Sequence, residues 1–391
     1  MLHVYTEEKI PIKSWASAVE DSCLDQARNL ARLPFAISHV ALMPDAHPGF
    51  GMPIGGVLFA DKAVVPYAVG VDIGCGVALL RTDLVVGDLE GGWLQKLLDD
   101  IAARVPVGNG PQAQHATQPE PFKFDDDVKG FLGEAQRVED NLHHADVQLG
   151  TLGGGNHFIE VQADADDHVY VMLHSGSRSL GKRTCDHWHK TALRLNQLWH
   201  SALPDKELAY LPWDTDEAHR YWAEMRLAMS WAEENRRRML AQVSEAVDEI
   251  MSASTAFVVD VHHNYAARES HLGRNGIIHR KGAVRACVGD TVLIPGSMGT
   301  ASYTAEGLGN PASFESCQHG AGRARSRTAT VNLETVEAFT ASMTGILMGG
   351  NAANARDESP FAYKDIEQVM EDSTDLVRPV LRLRPLGVVK G

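Results

Sequence analysis

Two textures alternate along this chain, and their order constrains its fold more than any other feature. In residues 40–60 and 63–84, VALMPDAHPGFGMPIGGVLFA and AVVPYAVGVDIGCGVALLRTDL, short apolar runs are broken by glycine and proline, which predicts strands joined by tight loops. The same texture returns from residue 256 in AFVVDVHHN, TVLIPGSMG and ESCQHGAGRARS. Between them, residues 179–202 and 214–253 are rich in Ala, Leu, Glu, Arg and Met, the composition of helices, and the second stretch has neither glycine nor proline. The pattern predicts a helical hairpin set into a β-rich body. Residues 91–105 read as a further helix, 168–177 as a strand ending in a glycine-serine turn, and the last thirty or so as a helix followed by a strand. Residues 106–127 are polar and loop-like, with Asp125, Asp126 and Asp127 as a solvated acidic patch. With no internal repeat or low-complexity linker, the expectation is one α+β domain over residues 1–391, with its helical insertion at about 179–253.

Charge and cysteine content narrow the function. The net charge of −15 rules out a general basic coat for nucleic acid, so any RNA contact has to come from a local basic patch or from bound metal. Cys23, Cys75, Cys185, Cys287 and Cys317 are odd in number and irregularly spaced, which argues against a disulfide framework and for a reducing, cytoplasmic setting. The first residues lack a signal-peptide core, and no apolar run is long enough for a membrane span.

Six short segments carry the chemistry. Each sets a metal-capable or nucleophilic side chain among small residues at the end of an apolar run: Asp45 and His47 in PDAHPGFG, Asp72 and Cys75 in GVDIGCG, His157 in GGGNHFIE, His174 in LHSGSRS, His262 and His263 in VHHN, and His319 in CQHGAGR. Glycine lets a backbone approach a ligand closely, and loops on a rigid scaffold are where sites gather. Any one of these residues alone reads as an ordinary structural or surface side chain; the coincidence of six is the signal. A thiolate, a carboxylate and several imidazoles suit Zn, Mn or Fe better than Mg or Ca. Five such ligands are too many for one open catalytic ion, and a thiolate can bridge, so a two-metal site suited to phosphoryl transfer is the reading. The stretch HGAGRARSR (319–327) adds glycine amides and arginines fit for phosphate, without matching a P-loop; IPGSMGTASY (294–303) is a second loop of this kind. Arg236, Arg237 and Arg238 form a basic run in the helical block, a solvated face or an RNA-backbone contact.

Together, PDAHPGFGMPIGG, GVDIGCG, LGTLGGGNHFIE, LHSGSR, HHNY, RKGAV, IPGSMGTASY, HGAGR, AYKDI and the terminal VKG resemble the signature segments of the RtcB family of RNA ligases, in the family's order and in its shorter bacterial form. The resemblance covers residue 43 onward; residues 341–356 match it less well. It implies mixed and antiparallel sheets around a metal cleft, and a ligase that uses GTP and two Mn²⁺ ions to join an RNA 3′-phosphate or 2′,3′-cyclic phosphate to a 5′-hydroxyl, in tRNA splicing or RNA repair. Cys75 would bridge the ions, one also held by Asp72 and His157 and the other by His174 and His263, the histidine that directly precedes Asn264. His319 would become the guanylylated nucleophile, oriented by Asp45. Glu160 and Lys390, assisted by Ser302 and Tyr363, would read guanine; Asn156, Ser297, Gly320, Ala321 and Gly322 would line phosphate and ribose. Arg178, Arg183, Arg323, Arg325 and Arg327 are the expected RNA contacts, and an archease-type activator is among the partners the resemblance implies.

Two rival functions fit parts of this set. A dinuclear phosphodiesterase that only opens cyclic phosphates needs Cys75 and the histidines, but not Glu160, His319 or Lys390. A non-catalytic RNA-binding relative should have lost ligands, and none of those expected is missing.

Overall fold

The computed structural model describes residues 1–108, 120–123 and 135–391; Asp125, Asp126 and Asp127 lie outside the described residues. Two large sheets carry most of the strands. The first has six, in the order His3–Tyr5, Ile12–Ser14, Ala36–His47, Ile54–Ala60, Arg274–Lys281, Asn264–His271. The second runs Thr255–His262, Gly76–Val85, His168–Ser175, Phe158–Ala163, Val377–Lys390, Ser302–Gly307, Thr291–Ile294, with Leu347–Gly350 added in parallel against Val377–Lys390. Its two end strands approach each other, so the sheet curls toward a barrel. Pairing is antiparallel almost throughout, which suits the short connections that the glycine-rich loops supply. The architecture is α+β.

The central strands look almost wholly apolar because both faces of the sheet are covered. Ala78, Leu80, Val169, Val171, Leu173, Ile159 and Val161 turn one way, onto Leu97, Leu98 and Ile101 of the helix Trp93–Arg104 and onto Met239 and Val243 of the helix Asp216–Met251. Their neighbours Val77, Leu79, Tyr170 and Met172 turn the other way, into the hollow of the curl, against Leu293 and Leu383. This period of two decides where the polar residues go. Glu160 lies opposite Met172, and His174 opposite Phe158, so both fall on the hollow side.

The helical block forms two helices, Arg178–Leu198 and Asp216–Met251, packed on each other. The second is 36 residues long. It starts where the Thr215 side chain accepts from Ala218 N at 3.3 Å, has Asp216 and Glu217 in its positive first turn, and stops at Ser252 in a left-handed conformation. Tyr221, Met225, Ala228, Ala232, Asn235, Met239 and Val243 recur at helical spacing and are buried. The connection carries the short strand Leu211–Pro212, which pairs with Ala63–Val64 and ties the helices to the sheet region. No helix among the described residues is long and apolar enough to cross a membrane.

Candidate active site

At the mouth of the curl, strand ends bring the sequence's metal-capable groups together. Cys75 Sγ lies 3.3 Å from His174 Nε2 and 3.6 Å from His157 Nε2. His174 Nε2 is 3.4 Å from His263 Nε2, and His157 Nε2 is 3.2 Å from Asp72 Oδ2. The ligand atoms of Cys75, His157 and His174 all fall within 4.8 Å of one another, and all three residues are buried.

Backbone carbonyls fix two of the rings. His157 Nδ1 is 2.9 Å from Leu152 O and His174 Nδ1 3.1 Å from Asn156 O. A carbonyl can only accept, so each Nδ1 carries the proton and each Nε2 turns a lone pair toward the cluster, as metal-binding imidazoles do. His263 Nδ1 is buried without a hydrogen-bond partner. Burial, reinforced by the Asp72 charge, pushes the Cys75 thiol well above its ordinary range. Burial, with His157 and His319 nearby, holds His174 well below its own, and burial does the same for His263. Burial acts to raise Asp72 as well, but a proton on His157 Nε2, 3.2 Å away, outweighs it through hydrogen bonding and charge and brings the carboxyl down to about 2; a cation in that proton's place would act in the same direction. Lone pairs converging beside a partly exposed carboxylate and a buried thiol are short of positive charge. A multivalent cation would supply it, so the donor set fits a metal.

Beside the cluster, the His319 ring is 4.8 Å from the His263 ring, centroid to centroid. His319 Nδ1 is 2.6 Å from Asp45 Oδ2, which also accepts from His319 backbone N at 3.0 Å. With Nδ1–H donating to the buried carboxylate, Nε2 keeps its lone pair free for nucleophilic attack. The small residues of HGAGR make this approach possible. Gly322 has φ +73°, and a Cβ there would sit 2.2 Å from Asp45 O.

A cavity of about 710 Å³ opens over both groups. Asp72, Cys75, His174, His263 and His319 line it, and so do Asn156, Glu160, Ser297, Ser302, Gly320, Ala321, Gly322, Tyr363 and Lys390. Asp45 and His157 stand behind that lining, buried. Glu160 is 3 % exposed, and burial pushes its carboxyl up to about 8 against the pull of Gln162 and Lys390. Gln162 Nε2 donates to Glu160 at 2.5 Å and to Ser302 Oγ at 3.1 Å. Burial lowers the Lys390 amine, with Glu358 and Glu160 acting against it.

The arginines divide. Arg323, Arg325 and Arg327 line the cavity, with Arg323 and Arg327 both paired to the buried Glu358 at 2.8 Å. Arg178 lies outside the lining and donates to Gly108 O at 3.1 Å; Arg183 is exposed on its helix, also outside. The RNA-backbone reading of Arg236 fails. Its side chain is 0 % exposed, and it donates to Asp260 at 2.8 and 2.9 Å, to Gly74 O at 2.9 Å and to Ser175 O at 3.0 Å, tying together the strand ends that carry the cluster. Arg237 and Arg238 pair with Glu234 on their own helix.

Sequence reasoning also missed Glu358 and Lys281, both at the cavity wall. Lys281 Nζ donates to Phe50 O at 2.6 Å, Met52 O at 2.9 Å and Tyr67 O at 3.2 Å. Its segment, RKGAV, was visible as a motif; Glu358 carried no signal of its own.

Residues 26–391 match the family model described as tRNA-splicing ligase RtcB. The chain is 37 % identical to RNA-splicing ligase RtcB1 of Escherichia coli over 99 % of this chain and 98 % of that protein. It is 33 % identical to RNA-splicing ligase RtcB of Mycobacterium tuberculosis over 94 % and 100 %, and 32 % identical to tRNA-splicing ligase RtcB of Methanococcus maripaludis over 95 % and 92 %. A match of this extent, on a chain whose sheet ends gather a buried cysteine-histidine cluster beside a carboxylate-held histidine, shows that the protein is a ligase belonging to the RtcB family.

Proposed function

We propose that this ligase joins RNA ends bearing a 3′-phosphate or 2′,3′-cyclic phosphate to RNA ends bearing a 5′-hydroxyl, using GTP and Mn²⁺, in tRNA splicing or RNA repair. The observation that carries the proposal is His319, whose Nδ1 is held by Asp45 while its ring borders a nucleotide-sized cavity beside the metal-capable cluster.

His319 Nε2 attacks the α-phosphorus of GTP. A P–N bond forms, the bond to pyrophosphate breaks, and Asp45 steadies the positive charge that builds on the imidazole. An oxygen of the RNA 3′-phosphate then attacks the same phosphorus and Nε2 leaves, giving RNA-(3′)pp(5′)G. The 5′-hydroxyl of the second RNA attacks the 3′-phosphorus, GMP departs, and the phosphodiester is made. A 2′,3′-cyclic end is first opened by water to the 3′-phosphate. Asp72, Cys75, His157, His174 and His263 would hold two Mn²⁺ ions, which would supply Lewis-acid stabilisation of charge on phosphoryl oxygens.

Guanine is selected at the far wall. An ionised Glu160 can accept from guanine N1–H and N2–H, a donor pair adenine lacks, with Lys390, Ser302 and Tyr363 alongside. Asn156, Ser297, Gly320, Ala321 and Gly322 surround ribose and phosphate, and Arg323, Arg325 and Arg327 meet the RNA phosphates. Incubation with Mn²⁺ and α-labelled GTP, followed by denaturing electrophoresis, tests the reading. An acid-labile labelled band supports it. Hydrolysis of cyclic phosphate ends with no such band would favour the phosphodiesterase instead.

A further inference from the structure

Phe50 is 61 % exposed at the lip of the cavity, although hydrogen bonds from three directions hold its backbone. Lys281 Nζ donates to Phe50 O at 2.6 Å and to Met52 O at 2.9 Å, and Met52 N donates to Phe50 O at 2.8 Å. On one side Gly49 N donates to Gln26 Oε1 at 3.0 Å, and Gln26 returns a bond to Gly49 O; on the other, Gly51 N donates to Glu207. Gly51 has φ +68°, and a Cβ there would come within 2.9 Å of Glu207 O, so the loop is pressed down where it passes this residue. The Phe50 ring leans on Tyr67, 6.4 Å away and tilted by 47°, and Tyr67 is itself stacked on His189 at 3.8 Å.

A lone exposed phenylalanine needs no explanation on an ordinary surface. Here, three side chains from separate parts of the chain, Gln26, Glu207 and Lys281, hold the backbone beneath it, and the residue lines the cavity. Contrast Phe361, an exposed ring whose face already carries the guanidinium of Arg325, a cavity residue, at 3.8 Å. An exposed aromatic ring on a held backbone beside a site for RNA ends matches the platform on which unpaired bases stack, and it contributes regardless of base identity.

We propose that Phe50 stacks an RNA base at the junction being sealed, and so positions the RNA end over His319 and the cluster. The inference rests on the RNA-ligase reading above, and the test separates the two. The KM of wild type and of Phe50→Ala is measured for GTP in guanylylation without RNA, and for RNA ends in ligation. We expect Phe50→Ala to raise the RNA KM about tenfold more than the GTP KM, within the range for losing one base–aromatic stack. Phe50→Trp, which keeps a π face, should restore most of the loss. Substrates abasic at the nucleotides flanking the junction should bring wild type and Phe50→Ala level. Equal KM changes for GTP and RNA, no recovery with Phe50→Trp, or a full Phe50→Ala defect on abasic ends would each overturn the stacking role. Absence of guanylylation in wild type would instead sink the ligase reading beneath it.

Discussion

Asp45 Oδ2 accepts from the ring and from the backbone of His319, at 2.6 and 3.0 Å, so one buried oxygen sets both the tautomer and the place of the same residue. In Asp45→Asn the side-chain amide can present its NH₂ to Nδ1, which favours a proton on Nε2 and removes the nucleophilic lone pair. Guanylylation should fall by roughly 100-fold or more, as when a histidine's orienting carboxylate is lost. His319→Ala should abolish it, keep metal binding, and still seal a pre-activated RNA-(3′)pp(5′)G end. Covalent GMP on His319→Ala would place the nucleophile elsewhere.

Under the proposed metal set, Cys75→Ser replaces a thiolate ligand by a hydroxyl, a poorer one. Bound Mn²⁺, measured by elemental analysis after desalting, should drop below that of wild type, and ligation should collapse with it. Ligation at a near wild-type rate would remove Cys75 from the metal set.

Burial raises the Glu160 carboxyl to about 8, so the free enzyme holds it largely protonated at neutral pH. A protonated carboxyl cannot accept two guanine donors. The KM for GTP should therefore fall as pH rises through about 8, the direction in which the acceptor form gains. In Glu160→Gln, GTP use should weaken far more than Mn²⁺ binding, and this pH dependence should vanish. The same slope in the variant would assign the titration to another group.

Arg236→Ala strips the buried partner from Asp260 and removes the guanidinium's bonds to Gly74 O and Ser175 O. Breaking a buried pair from one side costs about 3–5 kcal/mol, which urea denaturation of the metal-free protein would register. Arg237→Ala, at an exposed pair on the same helix, should stay within about 0.5 kcal/mol. Equal losses in the two variants would count against Arg236 as the tie between strand ends.

The contrast between Arg236 and its neighbours follows from helix geometry. Adjacent helical residues point about 100° apart, so a run of three arginines cannot share a face. Arg236 follows Ala232 and Asn235 in the buried stripe, a periodic signal that was present but overshadowed by the run's charge. The glycine-punctuated loops were legible because their chemistry is local: a metal-capable side chain needs small neighbours, and both are written side by side. Glu358 could not be found this way. Its importance comes from Arg323, Arg327 and Tyr363 converging on it, a relation set by packing. The two helices were visible from composition, but their contact with the concealed face of the sheet was not, since strands covered on both sides lose the alternation that marks a face.

The cluster has a thermodynamic consequence as well. Cys75 and His157 are 82 positions apart, Cys75 and His174 are 99, and His174 and His263 are 89. An ion gripping such pairs closes loops of that length, as a disulfide would, and each closure of this size withdraws roughly 4–5 kcal/mol of chain freedom from the unfolded state. All five cysteines are free thiols, so no sulfur bridge does this work. Metal bound for chemistry would thus double as the staple between distant stretches of chain, and a chelator should loosen the whole protein along with silencing it.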